Sequence, residues 1–104
     1  MNLSREIQCN AEDGRILRGY AWMPDVPPVA AILILHGMME HIGRYGAFAE
    51  FLSANGVCVF GFDLRGHGRT SPNIEDKGFF ADRGGLDLLI SDTARCHAFV
   101  LQSL

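Results

Sequence analysis

Two short stretches hold most of the side chains with chemical potential. His36-Gly37-Met38-Met39-Glu40-His41 is the first; the second, DLRGHGRTS, runs from Asp63 to Ser71. Three readings of the first stretch compete: a metal site, a histidine that merely caps a strand end, and a turn that aims backbone N–H groups at a substrate oxygen. A metal would need His36, Glu40 and His41 to converge on one ion, yet Glu40 and His41 are adjacent. The His-x-x-x-His spacing that sets two imidazoles on one helix face is absent, and the one further histidine near enough in type is His67, in a distant loop. We therefore expect no metal and no cofactor.

The capping reading, in which His36 hydrogen-bonds a neighbouring backbone group, is compatible with the third. If the preceding apolar run is a parallel strand, its carboxyl end is where ligands bind in open α/β sheets. Gly37 there lets the chain turn sharply and leave the Met38 N–H unpaired and exposed. Such an N–H can face a developing oxyanion. In the second stretch Gly66-His67-Gly68 by itself describes any tight turn, and its expected role is a loop stiffened by Asp63 and Arg65 side-chain hydrogen bonds.

Positioning these residues requires particular elements. LSREIQCN and RILRGYAWMP flank the turn AEDG, where Gly14 supplies positive φ, and predict an antiparallel hairpin of strands near Leu3 to Cys9 and Arg15 to Met23. The prolines of PDVPP then forbid regular structure. VAAILIL is apolar on both faces and of strand length, which predicts a central parallel strand covered by helices on each side. RYGAFAEFLSANG places Tyr45, Phe48, Phe51 and Leu52 on one stripe of a helix from about Gly43 to Ala54, with Gly56 as its stop. VCVFGFD is a second strand, so strand, helix and strand form a right-handed βαβ unit. A long glycine-containing loop follows, of a length that is usually functional. Last, LDLLISDTARCHAFVLQSL carries Leu86, Leu89, Ile90, Thr93, His97, Val100 and Leu101 at helical spacing, with His97 expected on the packed face.

The bulk composition fits one α/β domain, or part of one, spanning residues 1–104. The chain is 48% hydrophobic and 20% charged, and its 12 acids and 9 bases, a net charge of −3, are scattered without a basic cluster. That gives nucleic acid and anionic membranes nothing to bind. No apolar run reaches spanning length and no secretory leader is recognisable, so a cytoplasmic location is expected. Cys9, Cys58 and Cys96 are widely spaced, and we expect reduced, mostly buried thiols.

Taken together, HGMMEHIGRY, an amphipathic helix, a strand and DLRGHGRTS resemble the N-terminal part of an α/β-hydrolase, in the branch of monoacylglycerol lipases and lysophospholipases. Those enzymes carry His-Gly-x-Gly-Glu-His-x-x-Arg-Tyr and later Asp-x-Arg-Gly-His-Gly-x-Ser. The resemblance implies that His36 and Gly37 shape the oxyanion loop and that the Met38 N–H lines the hole. It implies loop-ordering roles for Glu40, His41, Arg44, Tyr45, Asp63, Arg65, Gly66, His67 and Gly68. Two positions depart from the pattern: Met39 replaces a glycine, where a side chain penalises positive φ, and Thr70 replaces a serine.

The resemblance also implies a serine hydrolase of carboxylic esters, with a small lipid ester as substrate. Its nucleophile would lie in Gly-x-Ser-x-Gly. Ser4, Ser53, Ser71, Ser91 and Ser103 all lack glycines at those offsets, so none of the catalytic triad is present and this chain is expected to be inactive alone. HAFVLQSL stands where such an enzyme would finish its helix and enter the nucleophile strand. That strand would pair with VAAILIL, so an apolar edge is expected to stand open and promote self-association. The alternative reading is a non-catalytic short chain that acts through this edge.

Overall fold

A computed structural model describes residues 4–104. Strand β1 (Ser4–Asn10) pairs antiparallel with β2 (Ile16–Trp22), Asn10 lying opposite Ile16 and Ser4 opposite Trp22. Leu3, expected to begin this strand, lies outside the described residues. Ala11 and Arg15 close the turn through a 2.8 Å hydrogen bond, and Gly14 has a φ of 89°.

Strand β3 (Ala30–Ile34) leads through a 3-10 turn (Ile42–Tyr45) into helix α1 (Gly46–Ala54), and β4 (Val57–Phe62) returns parallel to β3. After a loop with one further 3-10 turn, Ile74–Asp76, helix α2 covers Gly85–Ser103. The sheet order is β1-β2-β4-β3, with β2 antiparallel to β4. Because β3 and β4 are parallel neighbours, their carboxyl ends lie side by side. HGMMEH and DLRGHGRTS, which follow them, must therefore meet.

Period-two alternation along β4 builds a core on both sheet faces. Cys58, Phe60 and Phe62 point to the face covered by α2, where they pack with Leu17, Ala21, Cys96 and Val100. Val59 points to the other face, against Trp22, Ile42 and Ala49. The doubly buried strand is thus β4. Strand β3, within VAAILIL in the sequence, ends the sheet among the described residues with Ala30, Ala31 and Ile32 exposed, so it is not covered on both faces, and the apolar edge expected beside it stands open.

Both helices are present but turned from the expected faces. On α1, Ala49 and Ser53 are buried and Leu52 packs beside them, whereas Phe48 and Phe51 are 53% and 64% exposed. The small side chain of Ala49 lets the helix approach the sheet, and the phenylalanines flank that contact. On α2 the buried line is Asp92, Cys96 and Val100 at i, i+4 and i+8. Leu86, Ile90 and Leu101 are exposed, and so is His97, which the periodicity placed on the packed face. An acid draws this helix face inward, for the reason given by the site. Among the described residues no helix is long and apolar enough to cross a membrane.

Candidate active site

The two loops are joined by a reciprocal exchange of histidines. His36 is buried and lies 2.8 Å from the Gly37 carbonyl through Nδ1. A carbonyl only accepts, so Nδ1 carries the proton and Nε2 is left as an acceptor, which takes the Leu64 N–H at 2.9 Å. His67 repeats the arrangement in the opposite direction. Its Nδ1 donates to the Arg65 carbonyl at 3.0 Å and its Nε2 accepts the Met39 N–H at 3.1 Å. Both rings are therefore neutral in one tautomer, 5.1 Å apart, and neither has a nitrogen lone pair free for a metal. Among the described residues no group of three potential ligands comes together.

Within the first loop, Glu40 is the hub. Its Oε1 accepts the Gly37 N–H at 2.7 Å and the Tyr45 hydroxyl at 2.9 Å, and Arg44 stands 3.8 Å from its Oε2. The Gly37 N–H is the main reason its carboxyl is held below the ordinary range, while the same carboxylate raises the Tyr45 hydroxyl. The positive φ that the sequence placed at position 39, where Met39 stands for a glycine, is present there: Met39 has a φ of 61° and is the one non-glycine residue with positive φ among those described. What Gly37 supplies is space, since a Cβ there would come within 3.0 Å of Glu40 Oε1.

Between these two fixed amides sits Met38. Gly37 N–H is held by Glu40 and Met39 N–H by His67, but no described residue accepts the Met38 N–H. Its side chain is also largely exposed. His41 is exposed and helps line a cavity of about 230 Å³ with Met39, Glu40, Gly66, His67, Gly68 and Lys77.

The second loop is a shell of satisfied polar groups. Asp63 accepts the Ile42 N–H through Oδ1 and the Arg69 N–H through Oδ2, both at 2.8 Å, tying β4 to the turn before α1. Thr70 donates to the Asp63 carbonyl at 2.6 Å and accepts the Arg18 N–H at 2.9 Å, so its hydroxyl anchors the loop to β2. Gly68 is required: a Cβ there would stand 2.3 Å from the Asp63 carboxyl carbon. Ser71 Oγ accepts the Gly66 N–H at 2.9 Å and is buried.

Arg65 anchors the whole. Its side chain is 1% exposed and forks into two carboxylates, Asp92 on α2 at 2.7 and 2.9 Å and Asp13 in the hairpin turn at 2.7 and 2.9 Å. Bidentate charge-assisted pairs of this kind are strong and directional. Hydrogen bonding from Arg65 holds the Asp13 carboxyl down to about 2, and Asp13 followed by Asp92 raises the guanidinium. The sequence pointed to Arg65 and Asp63 as loop stiffeners but missed the partner carboxylates. The available signal was an aspartate, Asp92, on the line of Cys96 and Val100.

Comparison with known proteins points in one direction. The profile of the family described as "Serine aminopeptidase, S33" matches residues 26–101. The monoacylglycerol lipase of Mycolicibacterium smegmatis is 43% identical over 49 residues, 47% of this chain and 18% of that protein. A monoglyceride lipase homolog of monkeypox virus is 46% identical over 69 residues, 66% of this chain and 25% of that protein. The chain thus spans a quarter or less of the length of these two relatives. The crystal structure of a thermostable carboxyl esterase from Bacillus coagulans superposes with a TM-score of 0.84 at 22% identity, covering 96% of this chain and 32% of the esterase. At that identity the likeness is one of fold.

Proposed function

The chain belongs to the serine aminopeptidase S33 family of α/β-hydrolases, and from that premise we propose that residues 36–45 form the oxyanion-binding loop of a serine hydrolase acting on monoacylglycerol-like carboxylic esters. The observation that carries this reading is the Met38 N–H, left without an acceptor between two amides that are both locked. Monoglyceride lipases among the relatives support the substrate class.

The chemistry follows from the placement. When a serine attacks an acyl carbonyl, negative charge moves onto the carbonyl oxygen, and a preorganised N–H aimed at that oxygen stabilises the transition state more than the ground state. His36 and His67, each neutral and each accepting a backbone N–H, serve as struts and not as proton shuttles. No serine here has the Gly-x-Ser-x-Gly setting, and Ser53 and Ser71 are buried. Residues 1–104 therefore contribute the oxyanion donor and its frame, and the nucleophile must come from outside them.

Two measurements test this. A fluorophosphonate probe should leave the 104-residue chain unlabelled, and stoichiometric labelling of one of its serines would overturn the assignment. In a hydrolase assembled from this chain and a segment supplying the serine elbow, Met38→Pro removes the N–H. Such a loss should lower kcat on a monoacylglycerol by about 10²- to 10³-fold; an unchanged kcat excludes Met38.

A second reading rests on the β3 edge, where Ala30, Ala31 and Ile32 are exposed at the end of the sheet. We propose that this edge pairs with another strand, in a second copy or a complementary segment. Size-exclusion chromatography should then show a defined dimer, and a monodisperse monomer at high concentration would count against it.

A further inference from the structure

Away from the paired loops, the fold brings together two cysteines from opposite ends of the sequence. Cys9, half-buried on β1, packs against the cluster of Ala11, Leu17, Phe62 and Cys96, the last of these on α2. The residues beside them also meet: Arg95, before Cys96, donates to the carbonyl of Asn10, after Cys9, at 3.3 Å. The third cysteine, Cys58, is buried elsewhere on β4, and its thiol meets the Met23 sulfur at 3.2 Å. We infer that Cys9 and Cys96 form a thiol–disulfide exchange site, in which Cys9 takes up a small disulfide of the glutathione class and Cys96 resolves the adduct into a bond between β1 and α2.

The two thiols are suited to unequal roles. Cys9 is reachable from solvent, whereas Cys96 is 1% exposed. Hydrogen bonding from the neighbouring Cys96 thiol lowers the Cys9 thiol below its ordinary value, which favours the thiolate, the form that attacks. That same bond, followed by burial, raises Cys96. In the first step Cys9 thiolate attacks one sulfur of glutathione disulfide, forming a mixed disulfide and expelling glutathione thiolate. In the second, Cys96 loses its proton to water, attacks Cys9 Sγ and expels the second glutathione. The protein loses two protons and two electrons, and one glutathione disulfide is reduced to two thiols. The bond would fasten the outermost strand to the helix that carries Asp92, and so to the Arg65 lock.

Incubating the full chain with glutathione disulfide and mapping its peptides tests the proposal. The expected result is a chain lighter by two hydrogens, with one linked peptide pair containing Cys9 and Cys96 and with Cys58 free. Its urea midpoint without reductant should shift upward, and dithiothreitol should reverse the shift. Cys96→Ala should instead accumulate one glutathione on Cys9, and Cys9→Ser should leave Cys96 unmodified. Independent adducts on both cysteines, links to Cys58, or free thiols throughout would overturn it. Should Cys96→Ala not fold, the peptide map of the unaltered chain and the Cys9→Ser result decide the question.

Discussion

The two ends of β3 invert the usual arrangement of a globular protein. Past its carboxyl end, charged and polar side chains are buried: Arg65, Asp63, His36, His67 and Asp92 are each 4% exposed or less, and every one has partners. Along its body and the flanking helices, apolar side chains face outward, among them Ile32, Leu35, Phe48 and Phe51. A polar network worth burying must be fully satisfied, and an apolar surface worth keeping usually meets something. The difference teaches that the loop pair holds its shape through contacts internal to these residues, while the sheet edge and helix faces leave apolar side chains exposed.

The sharpest way to break this comparison is to remove the centre of the polar end. Arg65→Met leaves Asp92 buried with no counter-charge and frees Asp13, so stability should fall by about 3–5 kcal/mol, as for other buried pairs broken on one side. Urea denaturation followed by circular dichroism checks it. A cost below about 1 kcal/mol would show that the lock is ornamental and that apolar packing alone holds the loops. Gly68→Ala comes next: with a φ of 47° and a Cβ 2.3 Å from the Asp63 carboxyl carbon, it must push that carboxylate off the Ile42 and Arg69 amides. We expect a loss of about 1–3 kcal/mol, with faster amide exchange at Ile42 and Arg69 than elsewhere.

What the sequence made legible follows the same division. The order and direction of the strands could be read because their apolar runs have a period and a length, and parallel pairing of the two runs then obliges the motifs to meet. The helix faces could not be read, because Asp92 is buried by a partner 27 residues away in sequence. A hydropathy stripe counts that aspartate as solvent-facing and turns the helix accordingly, carrying His97 inward by mistake. Met39 was legible as the site of positive φ, because it stands where the motif has a glycine, but the room that Gly37 leaves for Glu40 was not. The histidine exchange was equally hidden, since it depends on which loop each ring reaches.

Met39 offers a smaller and opposite effect. An L residue in the left-handed region costs about 1–2 kcal/mol, and the Met39 side chain is 75% exposed, so it gains little packing in return. Met39→Gly relieves that strain but adds freedom to the unfolded chain, a cost of about 0.5–1 kcal/mol. The net should be a gain of about 0.5–1 kcal/mol in the same denaturation experiment, and a loss would mean that the methionine makes contacts that hold the turn.

Acid should act on the polar end alone. Asp13 has its folded value held at about 2, below the ordinary 3.8, so its contribution is present above about pH 4. As pH falls from there through about 2, the carboxylate is protonated and that contribution disappears. With 38% of the side chain exposed, solvent screens the pair and the effect should be smaller than that of Met39→Gly. Asp13→Asn should flatten the stability profile across this window relative to the unaltered chain. An identical acid slope in both would assign the acid sensitivity to other carboxylates.

The smallest expected change in stability is also the one that isolates the apolar end. Ile32 is 38% exposed on the last strand of the described sheet. Ile32→Lys adds a charge to an edge, the device by which natural sheets discourage strand pairing, and should move the urea midpoint by no more than about 0.5 kcal/mol equivalent. Its effect should appear instead in association, with the elution volume of the chain shifting toward monomer as Ile32 is replaced. If stability falls with association, the two ends of β3 are not independent, and the polar lock depends on a covered edge. If association persists unchanged, the exposed faces of α1 and α2, with Phe48, Phe51 and Ile90, are the surface that meets the partner.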